Sequence, residues 1–359
     1  MTDADFMGRA LFHAARACGV TTPNPMVGAI VVTPDGVVVG QGRHPRAGEP
    51  HAEVFALEEA GERARGATLY VTLEPCSHHG RTPPCAHRIV EAGIRRVVAA
   101  MIDPNPHVNG RGIEQLRANG IVTEVGLRAD EAARLNRGFI TVQTAGRPMV
   151  VLKVATSLDA RMAAEPGACT RLTSGHADRR THRLRASVDA VGVGSGTILA
   201  DDPLLTARQH YRARPLVRVV FDRRLRTPPS ARVFSTLHAG PVIILAGAMS
   251  PDAARRAEVL RQAGATILNG TGRLEADLGS LVSHDVSTLL LEGGARLHAA
   301  AWQAQVVDRV HLVVAPAMLG ERGVKLFDGL PVPWAAFTMV SVEPLGRDVW
   351  MEADVYGHH

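Results

Sequence analysis

The chain reads as two α/β domains in tandem, and three observations carry that reading. Its 359 residues exceed what one hydrophobic core usually organises. Apolar β-type runs alternate with helical patterns on both sides of Gly146-Arg147-Pro148, which divides the chain into 1–146 and 147–359. The residues able to carry chemistry fall at strand ends and helix starts, where an open α/β sheet places its site.

In the first half, residues 4–18 have the periodicity of an amphipathic helix. Asn24 follows between Pro23 and Pro25, in the place of a turn residue. The runs at 27–32 and 37–40 are β-type, and Pro34-Asp35-Gly36 between them signals a hairpin. Pro50 precedes His51, which opens a helix with Phe55, Ala56, Leu57 and Ala60 on one buried face. A strand at 68–73 runs into Glu74-Pro75-Cys76, and a helical pattern begins near Cys85. A strand at 96–101 ends at Asp103-Pro104-Asn105. A helix at 113–119, an extended run at 121–125 and one continuous helix at 129–145 complete the half, an α/β sandwich of about five strands.

His51, Cys76 and Cys85 form a candidate zinc site. One His and two Cys make three ligands, the number found in open catalytic zinc sites, with the fourth position left for water. Zinc lowers the pKa of that water to about 7. Glu53, two residues after His51, is placed to shuttle its proton. A lone His-x-Glu carries little information, and paired cysteines are usually buried thiols. The order H-x-E…P-C…C is the signature of zinc nucleobase deaminases.

The second half opens with a strand at 149–155. It continues with β-type runs at 187–193, 216–221, 241–246, 287–291 and 309–315, a helix at 176–186, and possible strands at 338–342 and 348–355. Two glycine turns compete as phosphate cradles. The first, Gly192-Val193-Gly194-Ser195-Gly196-Thr197, is followed by 198–203, which reads as loop. That argues against a dinucleotide-binding unit, which needs a helix there. The second, Leu291-Glu292-Gly293-Gly294, ends a strand and precedes a helix at about 295–304, so its free amides suit an anion.

His51-Ala52-Glu53, the run 72–85 with eight residues between the cysteines, Pro23-Asn24-Pro25 and Asp103-Pro104-Asn105-Pro106 resemble the bacterial bifunctional riboflavin-biosynthesis deaminase–reductases. Further on, Lys153-x-Ala155-x-Ser157-x-Asp159-x-Arg161, Thr197-x-Leu199-Ala200-Asp201-Asp202-Pro203-x-Leu205-Thr206-x-Arg208 and Glu292-Gly293-Gly294 resemble the reductase half of the same family. The resemblance implies a cytidine-deaminase-like α/β/α sandwich followed by a dihydrofolate-reductase-like α/β domain. It implies one Zn2+ on His51, Cys76 and Cys85, with Glu53 as acid and base. Asn24, His78, Arg81 and Asn105 would bind the deaminase substrate, the His and Arg being donors suited to its phosphate. NADPH would contact Ala155, Arg171, Thr197, Asp201, Gly293, Gly294, Ala295, Arg296 and Leu297, with Asp201 orienting the nicotinamide side. Lys153, Cys169, Arg185, Leu205, Arg208 and Glu292 would hold the reductase substrate, Arg185 and Arg208 as cations for its phosphate and Glu292 for sugar hydroxyls. Arg171 departs from the family, which often has Trp there.

Composition narrows the alternatives. A net charge of +5 admits nucleic acid, but aromatics at 4% leave few stacking platforms, and a phosphorylated pyrimidine with a phosphate-rich cofactor also calls for cations. An RNA-editing deaminase is disfavoured by the long inter-cysteine loop and the reductase-like second half. A non-catalytic zinc protein would have no use for Glu53. Four cysteines, two of them assigned to metal, leave no disulfide framework and fit the cytoplasm. Asp3 and Asp5 without an apolar core argue against a signal peptide, and no run approaches a membrane span. The expected partners are small molecules, neither nucleic acid nor membrane, with self-association into a homo-oligomer.

Overall fold

The computed structural model describes residues 1–77, 84–106, 108–168, 170–333 and 336–356. Its contacts divide the chain into two compact units, Met1–Gly146 and Arg147–His359.

The first unit runs α1 (Asp3–Ala15), β1 (Gly28–Val32), β2 (Val38–Arg43), α2 (Ala52–Ala60), β3 (Thr68–Val71), α3 (Cys85–Glu91), β4 (Arg96–Ala99), α4 (Arg111–Ala118), β5 (Val122–Val125), α5 (Ala129–Leu135) and α6 (Arg137–Ala145). The strands form one sheet in the order β2-β1-β3-β4-β5. The hairpin β1–β2 and the pair β1–β3 are antiparallel, and β3, β4 and β5 are parallel. Alternate strand residues face opposite layers. Ala29, Val31, Leu69, Val71, Val97 and Ala99 pack against α2, α3 and α4. Ile30, Val32, Tyr70 and Val98 pack against Phe6, Met7, Ala10 and Leu11 of α1 and Ala132 of α5. Glycine lets α2 lie directly on β2, since a Cβ at Gly40 or Gly42 would sit 2.0 or 2.1 Å from the carbonyl oxygens of Ala56 or Ala52.

Two sequence expectations need correction here. The amphipathic helix starts at Asp3 and stops at Ala15, capped by Thr2, whose hydroxyl and backbone exchange hydrogen bonds with Asp5. The continuous helix at 129–145 is two helices, broken at Asn136. The Asn136 side chain turns away to bind a distant backbone: Oδ1 accepts from Met26 N–H (2.7 Å) and Nδ2 donates to Met26 O (2.9 Å). Those bonds fasten the loop that carries Asn24.

The second unit runs β6 (Met149–Thr156), β7 (Arg161–Ala163), α7 (Gly175–Ser187), β8 (Ala190–Gly194), α8 (Ser195–Asp201), β9 (Val217–Phe221), β10 (Val242–Ala246), α9 (Pro251–Gln262), β11 (Ala265–Asn269), α10 (Leu274–Gly279), β12 (Thr288–Gly293), α11 (Ala295–Gln303), β13 (Val307–Val314), β14 (Val324–Lys325), β15 (Ala336–Leu345) and β16 (Asp348–Tyr356). Nine strands form a sheet ordered β11-β10-β9-β8-β12-β6-β13-β16-β15, and β7 pairs with β14 separately. The sheet is parallel from β11 to β13, and β16 and β15 close it antiparallel. Contrary to the sequence reading, a helix does follow Gly194: α8 occupies the stretch expected to be loop. Strand order does not exclude a dinucleotide-binding unit there either, since β8 and β9 on either side of α8 are parallel neighbours; what departs from its G-x-G-x-x-G fingerprint is Thr197 in the place of the third glycine.

Candidate active sites

Local structure brings the three zinc ligands to one point. His51 caps the N-terminus of α2, Cys85 opens α3, and Cys76 lies in the loop leaving β3. His51 Nδ1 is 3.6 Å from Cys76 Sγ and 3.3 Å from Cys85 Sγ, and all three ligand atoms lie within 4.8 Å of one another. Tetrahedral zinc with bonds of about 2.0–2.3 Å separates neighbouring ligands by roughly 3.5–3.8 Å, so the set fits the ion. The three groups compete for protons: the neighbouring Cys85 and His51 hold the Cys76 thiol down to about 4, Cys76 lifts His51 to about 9 against its burial, and Cys76 and burial push the Cys85 thiol up. A cation at the centre satisfies two thiolates and a neutral imidazole at once. Elemental analysis is therefore expected to find about one zinc per chain, lost in Cys76→Ser or Cys85→Ser; full retention in both would remove the assignment.

Glu53 stands in the first turn of α2 and is 3% exposed. Its Oε2 is buried with no hydrogen-bond partner among the described residues. Burial raises its pKa above the ordinary carboxyl value. A carboxyl tuned upward and aimed at a metal triad is suited to take up and give back a proton.

The substrate side is ordered by residues that sequence reasoning did not select. Asn24 Nδ2 lies 3.0 Å from His44 Nε2, and His44 Nδ1 lies 3.1 Å from the Pro50 carbonyl oxygen. His44 is buried, which lowers its pKa and keeps the ring neutral. Nδ1–H then donates to Pro50, and Nε2 accepts from Asn24, fixing which way the Asn24 amide faces. Glu74 was recognised only as part of the motif. Its buried carboxylate accepts backbone N–H groups from Asp103 (3.1 Å), Gly110 (2.8 Å), Gly112 (2.8 Å) and Ile113 (3.3 Å). It gathers the loop between β4 and α4, where Asp103 Oδ1 accepts from the N–H of Asn105 (2.9 Å). His78 and Arg81 lie outside the described residues.

In the second unit a cavity of about 1280 Å³ opens beside the ends of β6, β8 and β12. This exceeds the roughly 300–1,000 Å³ of a single small-molecule site and leaves room for a cofactor and a substrate together. Lys153, Ala155, Arg171, Thr197, Asp201, Glu292, Gly293, Gly294, Ala295, Arg296 and Leu297 all line it. Gly294 has φ of +90° and caps α11, and a Cβ on Gly293 would lie 2.8 Å from Thr197 Oγ1. Only glycines admit this turn with the free amides of α11 facing the cavity.

Three expected contacts do not line the cavity. Leu205 is buried with φ of +53°, and Arg208 is exposed, its backbone N–H 3.1 Å from His182 Nδ1. Arg185, expected to offer a cation to a phosphate, is committed elsewhere. Its Nε and Nη2 donate to Glu292 at 2.5 and 2.7 Å, and its Nη1 donates to the Thr206 carbonyl oxygen at 3.0 Å. Glu292 retains lone pairs for hydroxyl donors; Arg185 neutralises and aims it. Cys169 lies outside the described residues.

Fold and site together define a zinc-dependent deaminase unit joined to an α/β reductase unit. The zinc-binding region of cytidine and deoxycytidylate deaminases matches residues 1–101, and the RibD C-terminal domain matches residues 148–351. The chain is 42% identical to the riboflavin biosynthesis protein RibD of Aquifex aeolicus, over 89% of this chain and 88% of that protein. It is 40% identical to that of Escherichia coli over 92% of each. Among solved structures it resembles Acinetobacter baumannii RibD at a TM-score of 0.88 and 35% identity, covering 99% of each chain. It also resembles a diaminohydroxyphosphoribosylaminopyrimidine deaminase/5-amino-6-(5-phosphoribosylamino)uracil reductase from Thermotoga maritima, at 0.85 and 35%, covering 98% of each. The chain belongs to the RibD family of bifunctional deaminase–reductases of riboflavin biosynthesis.

Proposed function

We propose that residues 1–146 deaminate a diaminohydroxyphosphoribosylaminopyrimidine and that residues 147–359 then reduce the ribosyl group of the resulting aminouracil phosphate to a ribityl chain. The observation carrying the first step is the unpartnered, buried Oε2 of Glu53 beside the His51, Cys76 and Cys85 triad. When bound, zinc supplies a water whose pKa is brought to about 7. Glu53 takes a proton and returns it to the departing amino nitrogen, so that ammonia leaves as the ring carbon gains oxygen. Asn24, held by His44, orients the ring. Asn105, held through Asp103 and Glu74, also binds the substrate, and His78 and Arg81 take the phosphate.

For the second step, NADPH supplies hydride when bound. The chain's own part is to hold two ligands in one geometry, the dominant contribution to such a transfer. The Gly293-Gly294 turn admits a pyrophosphate to the start of α11, with Ala155, Arg171, Thr197, Asp201, Ala295, Arg296 and Leu297 around it. Glu292 takes sugar hydroxyls and Lys153 an anionic group. Gly294→Val is expected to raise the KM for NADPH at least tenfold, because a side chain is strained at positive φ and fills the cradle. Lys153→Ala is expected to raise the KM for the sugar phosphate. Both should leave ammonia release intact. Loss of deamination with normal NADPH oxidation in Gly294→Val would refute this division of labour.

The deciding experiment follows ammonia release and NADPH oxidation on one preparation given the pyrimidine phosphate, with and without NADPH, beside a tRNA control. Ammonia from tRNA and none from the pyrimidine would overturn the reading. No helix of the described residues is long and apolar enough to cross a membrane. The cytoplasm is the expected compartment and a homo-oligomer the expected state.

A further inference from the structure

Ser157, Asp159 and Arg161 stand at the junction of β6 and β7, outside the lining of the cavity. Ser157 N–H donates to the Arg161 carbonyl oxygen (2.9 Å), and Ser157 Oγ accepts from the Arg161 N–H (3.0 Å). The resulting turn holds Ala160 at φ of +56°, a left-handed conformation that a residue with a Cβ keeps only where its surroundings impose it. The Asp159 side chain reaches out of this turn. Its Oδ1 accepts from Ser157 Oγ–H (2.5 Å) and Leu319 N–H (3.1 Å), and its Oδ2 accepts from Gly320 N–H (2.7 Å). Leu158 N–H donates to the Ala317 carbonyl oxygen (2.8 Å). The hydroxyl of Ser157 and then the N–H groups of Leu319 and Gly320 hold the Asp159 carboxyl down to about 2, so it accepts these bonds as a full anion at neutral pH. One carboxylate thus joins two turns 160 residues apart in sequence.

The first turn starts β7. The second leads to β14, since the Gly320 carbonyl oxygen accepts from Gly323 N–H (3.2 Å) one residue before that strand. Gly323 lets the second turn lie close on the first, where a Cβ would sit 2.8 Å from Arg161 Cγ. β7 and β14 pair only with each other, through Ala163 with Val324 and Arg161 with Lys325. A two-stranded ribbon so short is marginal alone and depends on what holds its ends. Beyond the strands, Met162, Leu326 and Phe327 pack on the core with Leu297 of α11, and Asp328 Oδ2 accepts from Arg296 Nε at 2.7 Å. At the base the tie is Asp159. Met162, Ala163, Gly323, Val324 and Lys325 line the cavity. The ribbon is therefore one wall of the cavity, seated beside the first turn of α11, where the Gly293-Gly294 cradle lies.

We propose that Asp159 is a positioning residue of the reductase: by tying the turn before β7 to the turn before β14, its carboxylate sets the ribbon as the wall against which cofactor and sugar phosphate are held. The inference rests on the reading of that cavity as the reductase site. Asp159 is half-buried at a turn, away from the packed faces of the sheet, so its effect is local.

The test uses the full-length enzyme with NADPH and pre-deaminated substrate. Asp159→Ala removes every bond to the carboxylate. Hydrogen exchange should then speed up in peptides covering 158–164 and 317–326 and stay as in the wild type in β8, β9 and β12. The KM values for NADPH and for the sugar phosphate should both rise about tenfold, with kcat at saturation lowered less than either, because bound ligands draw the ribbon back into place. Urea unfolding followed by tryptophan fluorescence should keep its midpoint, and ammonia release its wild-type rate. A merely structural role would lower the midpoint and speed exchange through the whole unit without the split between KM and kcat, and that result would overturn the proposal. Unchanged KM values beside a loosened ribbon would overturn it too, as would raised KM values beside a ribbon that exchanges as in the wild type. If Asp159→Ala fails to fold, Asp159→Asn keeps the shape and one acceptor oxygen without the charge: both KM values should rise about threefold, and unchanged values would overturn the proposal. NADPH alone, added to the wild type, separates the two layers. No protection of residues 293–298 from exchange sinks the reading of the cavity and this inference with it, whereas protection there with none in the ribbon sinks the inference alone.

Discussion

Glu53→Gln is expected to keep its zinc and lose ammonia release by about a thousandfold or more. The amide matches the carboxyl in shape, so α2, lying on Gly40 and Gly42 of β2, has no reason to move. The lost property is chemical: an amide cannot take a proton from water and deliver it to a leaving nitrogen. The wild-type carboxyl is buried with Oε2 unpartnered, which is costly, so the variant should melt at the same temperature as the wild type or higher. Loss of activity without loss of stability identifies a group kept for chemistry rather than for folding. Reduction of pre-deaminated substrate should be almost unchanged. Near-wild-type ammonia release from Glu53→Gln would refute the proton-shuttle role.

The zinc triad was legible in the sequence because its information is local. His51, Glu53, Cys76 and Cys85 carry residue types and spacings that few other sites require, and each sits at an element boundary that Pro50, Pro75 or Pro84 makes visible. The glycine turn at 293–294 was legible for the same reason. Glu74, Asn136 and His44 were not read as site residues, because each acts through a backbone group distant in sequence: the amides of 110–113, the peptide of Met26, the carbonyl of Pro50. An isolated Glu, Asn or His gives no hint of such a partner. The break at Asn136 has the same origin, since helical periodicity continues through it and only the tertiary bond to Met26 interrupts it. The second unit hid more of its elements. α9 buries Ala253, Ala257 and Leu260, a stripe so rich in alanine that its apolar period is faint. β11 is an edge strand with only Ala265 fully buried, and β7 and β14 are too short to leave a pattern. α8 was taken for loop because Asp201-Asp202-Pro203 ends it after seven residues.

Arg185→Met is expected to destabilise the second unit by about 3–5 kcal/mol and to abolish reduction. The side chains of Arg185 and Glu292 are 15% and 7% exposed, and the two are joined by two hydrogen bonds. Removing one partner of such a pair strands a buried charge, which costs far more than the pair itself is worth. Burial alone would raise the Glu292 pKa, but the charge and hydrogen bonds of Arg185 outweigh it and hold the carboxyl below its ordinary value of 4.5. A group whose folded pKa is depressed contributes stability above its unfolded pKa and loses it as acid titrates the folded carboxylate. The wild-type unit should therefore lose this contribution below about pH 4.5, whereas Arg185→Met, with only the weaker charges of Lys153 and His182 left to depress the carboxyl, should have lost most of it already at neutral pH. All three tryptophans of the chain, at 302, 334 and 350, fall in this unit, so their fluorescence during urea unfolding reports on it alone. Arg185→Met combined with Glu292→Leu removes both members of the pair and should recover part of the lost stability, the remainder being the cost of buried Lys153 without the Glu292 charge beside it. It should not recover reduction, since Glu292 is the group that receives the sugar hydroxyls. Recovery of both stability and activity in the double variant would show that the pair only holds β12 against α7 and has no part in binding the substrate.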